Sequence, residues 1–234
     1  MKKILLCVLG FMILVSGSAF AVDVTVWAST WYAWWDNGDS NSNNDPGFLY
    51  GPALAVKFND DFNLTGVFLY GKIKYKDEDD GDVFTFKRID SDLALNYRLN
   101  DYLKIFAGIK YMSYTIVDAD DFDHSGFGPG IGISAAYPVV DSLFLLATLS
   151  GFHLWGNEEE GDESPDEYGY REYGINTTLA LAYYIPSIST VISLGGRYQQ
   201  FKTVYNQEEV NSGEEVDDLT WKFYGITLTV TYTF

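Results

Sequence analysis

The sequence predicts an all-β fold: a transmembrane up-and-down antiparallel β-barrel of ten strands in a single domain, residues 22–234. Runs in which apolar and polar side chains alternate recur along the chain, as in strands that are buried on one face. Short breaks and long polar segments alternate between these runs. After residue 21, no stretch approaches the roughly 20 consecutive apolar residues that a spanning helix needs, so strands would have to cross the membrane.

The first 21 residues have the pattern of a cleavable secretory signal peptide. Lys2 and Lys3 precede an apolar run over residues 4–15, and small residues lead up to Ala21. We therefore expect export and a mature chain that begins at Val22. Cys7, the only cysteine, lies inside the signal peptide, so the mature protein is predicted to contain no disulfide and no thiolate metal ligand.

Ten strand-like runs follow the signal peptide, and most have the roughly 9–11 residues that a tilted transmembrane strand requires. They cover residues 22–35, 47–58, 62–75, 84–99, 102–117, 127–138, 143–155, 171–185, 189–205 and 219–234. The even count is typical of single-chain membrane barrels. Eight strands is the alternative, and it would require two of the runs to fold into a long loop.

The connections between the runs differ in length and charge. Five long segments hold most of the 33 acidic residues, at positions 36–46, 76–83, 118–126, 156–167 and 206–218. The four other connections are short turns, at 59–61, 100–101, 139–142 and 186–189. If both termini lie on the inner side, the acidic segments all face outward. The formal charge of −18 argues against nucleic acid as a partner.

The last strand carries the most regular alternation in the chain. Apolar side chains alternate with four threonines up to the final residue, at Ile226, Leu228, Val230, Tyr232 and Phe234. This segment resembles the closing strand of bacterial outer-membrane β-barrel proteins, the small porin-like class that includes OmpA-, OmpX- and OmpW-like proteins. The resemblance implies a Gram-negative outer membrane, contact with its lipid and lipopolysaccharide, and recognition of the C-terminal segment by the barrel-assembly machinery.

One face of several strands carries charges that we predict to point into the lumen. This lumen charge ladder comprises Arg88, Asp90, Asp92, Arg98, Lys104, Lys110 and Arg197. On the sixth strand, Gly128, Gly130 and Gly132 are predicted to face inward and to leave room for longer neighbours. The third and seventh runs are apolar on both faces, so alternation does not orient them.

Tryptophans cluster beside the long segments. Because an indole prefers the membrane interface, we predict an outer aromatic girdle formed by Trp31, Trp34, Trp35, Trp155 and Trp221. The alternative is that residues 31–35 line a platform for a carbohydrate or aromatic ligand at the barrel mouth.

A barrel of this size leaves little free space once its inward side chains are placed. The ladder residues are therefore predicted to pair and to plug the lumen, which would leave a structural or surface-interaction role. The alternative is a narrow porin-like channel for ions or small solutes, with selectivity set by the same charges.

Catalysis and metal binding have weaker support in the sequence. His124 and His153 are the only imidazoles, and the chain does not match the motifs of the ten-stranded omptin-type proteases, so no catalytic residue is predicted. Asp121, Asp123 and Ser125 match the first half of a calcium loop, but Gly132 stands where its bidentate Glu belongs. We expect no cofactor beyond loosely bound Ca²⁺ or Mg²⁺.

Overall fold

The computed structural model is a closed barrel in which each strand pairs antiparallel with its neighbours in sequence and β1 pairs with β10. The structure describes residues 23–36, 45–76, 83–117, 122–160, 166–206 and 218–233. The ten-strand prediction is confirmed, and the eight-strand alternative is wrong. The predicted signal peptide, including Cys7, lies outside the described residues, as do Asp121 and Phe234.

The strand bounds agree with the predicted runs to within about two residues in seven cases. The strands are β1 (Asp23–Asp36), β2 (Asp45–Lys57), β3 (Phe62–Lys76), β4 (Val83–Arg98), β5 (Leu103–Ile116), β6 (Phe122–Val140), β7 (Leu143–Glu160), β8 (Asp166–Ile185), β9 (Thr190–Tyr205) and β10 (Leu219–Thr233). A three-residue 3₁₀ turn, Pro186–Ile188, joins β8 to β9. Among the described residues, no helical segment has the length and hydropathy needed to traverse a lipid bilayer.

Strands β6, β7 and β8 extend farther toward the acidic end than predicted. Residues 122–126, 156–160 and 166–170, which lie outside the predicted runs, belong to strands, and Glu160 pairs with Asp166. These residues are rich in acids and other polar side chains, a composition that predicts a loop even where the backbone continues as a strand. The extension matters because it carries His124 and Glu158 into the barrel wall.

Two of the short turns are held by an asparagine side chain that accepts hydrogen bonds from the backbone. Asn59 Oδ1 accepts hydrogen bonds from the backbone N–H groups of Asp61 and Phe62, at 2.9 and 2.8 Å. Asn100 does the same for Tyr102 and Leu103, at 2.9 and 3.0 Å. Asparagine is favoured in such turns because its side chain mimics the backbone turn.

The outer surface of the barrel is apolar. In β10 the alternation places Tyr224, Ile226, Leu228, Val230 and Tyr232 outward, each at least 42% exposed. The same holds around the wall, for example at Leu194 on β9 and Ile131 on β6, which are 59% and 68% exposed. Strands β3 and β7, which alternation did not orient, direct Leu69, Ile73, Phe152 and Leu154 into the lumen, where they are buried.

Candidate functional site in the barrel lumen

A charge network on Asp90 occupies the middle of the lumen. Lys110 Nζ lies 2.7 Å from Asp90 Oδ1, and Arg88 Nη2 and Arg197 Nη2 lie 3.1 and 3.3 Å from Asp90 Oδ2. The Asp90 side chain is 1% exposed and that of Arg88 is fully buried. Three strands supply these groups, so the network ties β4, β5 and β9 together across the barrel. Gln199 adds a further hydrogen bond to Asp90 Oδ2 at 3.1 Å.

Arg88 also makes contacts with aromatic rings. Its guanidinium carbon lies 3.8 Å from the centre of the Phe223 ring and 5.3 Å from that of Tyr114. Arg88 Nη2 donates to Gln199 Oε1 as well as to Asp90. Arg88 Nε and Nη1 are buried and have no hydrogen-bond partner in the described part of the chain. The flat, weakly hydrated guanidinium suits this position, where a ring covers its face.

The structure brings together five of the seven ladder residues and leaves two outside. Asp92 joins the network through Lys110 Nζ at 3.3 Å, so Arg88, Asp90, Asp92, Lys110 and Arg197 form one cluster. Arg98 lies at the short-turn end, where it is 3.8 Å from both Asp61 and Asp101 and its side chain is 40% exposed. Lys104 pairs with Arg98 in the strand register and is exposed.

Three of the five predicted girdle tryptophans point inward, so the girdle prediction is wrong for Trp31, Trp35 and Trp221. Trp31 is fully buried and Trp35 is 4% exposed, and both lie on the inward face of β1. Trp35 stacks on Trp221 at 5.6 Å between ring centres and on Phe223 at 5.9 Å. These rings pack against one another and against Phe223 in the lumen, and that burial outweighs their preference for the membrane interface.

The other two tryptophans face outward near the same end of the barrel. Trp155 on β7 is 48% exposed. Trp34 alternates with its inward neighbours on β1 and stacks against the outward Tyr224 at 6.2 Å. These two residues keep the positions that a membrane-interface girdle requires.

His124 lies inside the lumen between two carboxylates. Its Nδ1 is 2.6 Å from Glu158 Oε2 on β7, and its Nε2 is 3.0 Å from Glu172 Oε1 on β8. All three side chains are no more than 12% exposed. Because carboxylates can only accept, a doubly protonated imidazolium donates to both. Tyr205 and Thr203 of β9 donate to Glu158 and Glu172, each at 3.0 Å.

Tyr170 covers the histidine, and two glycines provide the space for it. The Tyr170 and His124 rings stack with centres 4.1 Å apart and planes at 11°. A Cβ on Gly156 would lie 2.4 Å from the Tyr170 hydroxyl, and one on Gly126 would lie 2.8 Å from it. Glycine is therefore required at both positions if the tyrosine ring is to lie flat on His124.

The remaining candidate residues do not join this cluster. His153 faces outward on β7, with its ring centre 4.7 Å from that of Trp155. Asp123 and Ser125 lie in strand β6 and alternate with the inward His124. The described residues contain no group of three or more His, Cys, Asp or Glu side chains that would hold a metal ion. Weak calcium binding at Asp121, Asp123 and Ser125 stays a prediction.

Two cavities lie on opposite sides of the central layer, the set of buried side chains in the middle of the lumen around Arg88 and Phe223. One, of about 280 Å³, includes Trp27, Asp92, Asn96, Phe106 and Lys110 in its lining and lies toward the short turns. The other, of about 210 Å³, lies toward the acidic end, and we call it the outer cup. The outer cup is lined by Trp35, Ile73, Tyr75, Phe86, Tyr114, Phe122, His124, Glu158, Tyr205, Leu219 and Trp221.

We expect His124→Gln to lower the free energy of unfolding by about 1–3 kcal/mol, because one amide cannot donate to two buried carboxylates in the same geometry. Urea titration of the refolded protein in micelles would measure the change. His153→Gln, on the outer face of β7, is the matched control and should have a smaller effect. Equal effects of the two substitutions would contradict a structural role for the His124 cluster.

The fold and lumen together define a class: closed ten-stranded barrels with an apolar exterior and a charged, ring-filled interior. No protein-family model and no curated protein matches the chain. Among solved structures it is similar to the outer membrane protease OmpT from Escherichia coli, at 12% identity and a TM-score of 0.49, over 91% of this chain and 96% of that one.

Two further likenesses have lower scores. The translocator domain of the autotransporter NalP from Neisseria meningitidis is 10% identical, with a TM-score of 0.45 over 95% of this chain and 92% of that one. The outer membrane protein OprG from Pseudomonas aeruginosa is also 10% identical, with a TM-score of 0.37 over 91% of this chain and 95% of that one.

Proposed function

We propose that this protein is a barrel of the cell outer membrane with a structural or surface-interaction role, and that its own side chains close its lumen. One observation carries the proposal. Eight side chains in the middle of the lumen are each no more than 2% exposed: Trp31, Leu49, Leu69, Arg88, Met112, Leu154, Phe201 and Phe223. Protein interiors packed in this way leave few voids larger than a water molecule.

The proposed location rests on the exterior of the barrel. A continuous apolar outer surface fits lipid, because lipid-facing residues alternate with lumen-facing ones along each strand. The acidic segments that join the strands at the outer end would meet lipopolysaccharide, with Ca²⁺ or Mg²⁺ loosely bound between the like charges.

Protein extracted from outer membranes is expected to have Val22 as its first residue by N-terminal sequencing, and an uncleaved Met1 would contradict the signal peptide.

We assign the protein no reaction. Each ring nitrogen of His124 is within hydrogen-bond distance of a carboxylate oxygen, which supports a structural role for His124. The low exposure of the His124 and Glu172 side chains, 6% and 1%, supports the same conclusion. The cluster is a structural support of the outer half of the barrel.

Conductance in planar bilayers tests the closed lumen directly. We expect no stepwise current from the wild-type protein. Phe223→Ala, which removes a fully buried ring from the central layer, should introduce measurable current. Tyr224→Ala is the matched control, because Tyr224 is the next residue and faces outward at 50% exposure.

The narrow channel is the second candidate, and the two cavities on either side of the central layer favour it. If the protein is such a channel, the wild type conducts and Arg88→Ala shifts its ion selectivity. Stepwise current from the wild type would therefore overturn the closed-lumen proposal in favour of this one.

A further inference from the structure

The outer cup has a lining of an unusual kind for a barrel wall. Seven of its eleven lining residues are Trp, Tyr or Phe, and seven different strands contribute these rings. Trp221 stacks on Trp35 and on Tyr114, with centres 5.6 and 6.0 Å apart, and Phe86 meets Phe122 edge-on at 5.8 Å. Such rings form a fixed wall, because each is held by a neighbour as well as by its strand.

The ionic cluster beside the outer cup is negative as a whole. His124 and Glu158 both line the cup, and with His124 protonated their cluster with Glu172 retains one net negative charge. The described lining includes no lysine or arginine. Arg88, whose guanidinium lies 5.3 Å from the Tyr114 ring centre, is paired with Asp90 and is not part of the lining.

The segments that join the strands at this end have the same sign. Residues 37–44, 77–82, 118–121, 161–165 and 207–217 contain aspartates and glutamates and not one lysine or arginine. The strand ends that these segments join all lie at the end of the barrel toward which the outer cup lies. Their summed field attracts cations and repels anions over a distance of about 10 Å at moderate ionic strength.

Aromatic walls and a carboxylate are the two features that recognise an organic cation. The negative faces of indole and phenol rings attract a cationic nitrogen, and quaternary ammonium groups are bound in proteins by cages of such rings. Size sets a further limit. Because an apolar cavity of about 150 Å³ holds benzene, a cup of about 210 Å³ admits one ring with a small substituent.

We propose that the outer cup is a binding site for small organic cations that carry an aromatic or similarly apolar body. The rings of Trp35, Trp221 and Tyr114 contact the cation and its body, and Glu158 balances its charge. This proposal goes beyond the structural role described above and holds whether or not the lumen conducts. It also gives Trp35 a function that interfacial anchoring does not provide.

The test compares three ligands of similar size on the wild-type protein, refolded in uncharged micelles and titrated calorimetrically against a micelle blank. Phenyltrimethylammonium is the cation, tert-butylbenzene its neutral isostere and benzoate an anion. We expect saturable one-to-one binding of the cation, affinity for the neutral isostere lower by about tenfold or more, and no binding of benzoate. Equal or tighter binding of tert-butylbenzene, or absence of saturable cation binding, would overturn the proposal.

Variants then locate the site. Trp221→Leu should weaken cation binding about tenfold, whereas Trp155→Leu, an outward tryptophan near the same end, should leave it within about twofold of the wild type. Glu158→Gln should weaken binding of phenyltrimethylammonium and leave that of tert-butylbenzene unchanged. Heat-modifiability on gels verifies that each variant is folded. If Trp221→Leu does not fold, the Glu158→Gln result decides the matter, and unchanged cation affinity in that variant contradicts the site.

Discussion

Asp90→Ala is expected to lower the free energy of unfolding by about 3–5 kcal/mol, the usual cost of breaking a buried ion pair. The substitution leaves Arg88, Lys110 and Arg197 inside the lumen with Asp92 as the remaining acid of the cluster. Like charges in a medium of low dielectric repel strongly, and the three cations are each no more than 10% exposed. Urea unfolding in micelles, followed by tryptophan fluorescence, measures the loss.

Asp61→Ala provides the matched control for this experiment. Asp61 also faces an arginine, but its carboxylate is 3.8 Å from Arg98 and its side chain is 59% exposed. Surface pairs of this kind contribute less than about 1 kcal/mol. A double variant, Asp90→Ala with Lys110→Met, should recover part of the loss, because it removes a cation along with its partner. Similar stabilities for Asp90→Ala and Asp61→Ala would contradict a buried network.

The alternation of β4 shows why part of the lumen could be predicted from sequence. Arg88, Asp90 and Asp92 recur every second residue against Ile89 and Leu93, and a period of two places them on one face of a strand. The same logic identified Lys110 and Arg197 as inward residues. Which charges would meet depended on register across strands, and that information is absent from any single run. Arg98 and Lys104 share the alternation of the inward residues on their strands, but they lie at the short-turn end, away from the cluster around Asp90.

His124 was missed for a different reason. It stands in an acidic stretch, where composition indicates a solvated loop, and its partners Glu158 and Glu172 lie 34 and 48 residues away. Only the pairing of β6 with β7 and of β7 with β8 brings the three together. A signal was present in the glycines: Gly126 follows His124 at the spacing that keeps both on the inward face, and it provides space for Tyr170.

The tryptophans of β1 illustrate the limit of residue preference as an argument. Trp31, Trp34 and Trp35 lie within five residues of one another on β1. The preference of tryptophan for the membrane interface assigns all three to the interface. The alternation of a strand separates them, because residues an even number of positions apart share a face. Trp31 and Trp35 are four positions apart and share the inward face, whereas Trp34 is on the opposite face. Phase was available from the sequence, and it should outrank composition wherever the strand is well defined.

Leu228→Lys is expected to lower the free energy of unfolding in lipid vesicles by about 2–4 kcal/mol, the cost of a lysine near the bilayer midplane. Leu228 lies within β10, 44% exposed on the outward face, beside Leu194 of β9. The measurement is urea unfolding of protein refolded into vesicles.

Thr229→Lys is the control for Leu228→Lys. Thr229 is the next residue but faces the lumen, where its hydroxyl lies 3.1 Å from that of Ser29. Because the two substitutions differ by one position and add the same charge, their difference isolates which face meets lipid. A water-soluble barrel predicts the opposite order, since an exposed lysine on its surface costs little and an inward lysine disturbs packing. The order of the two stabilities therefore tests the membrane location without reference to any other protein.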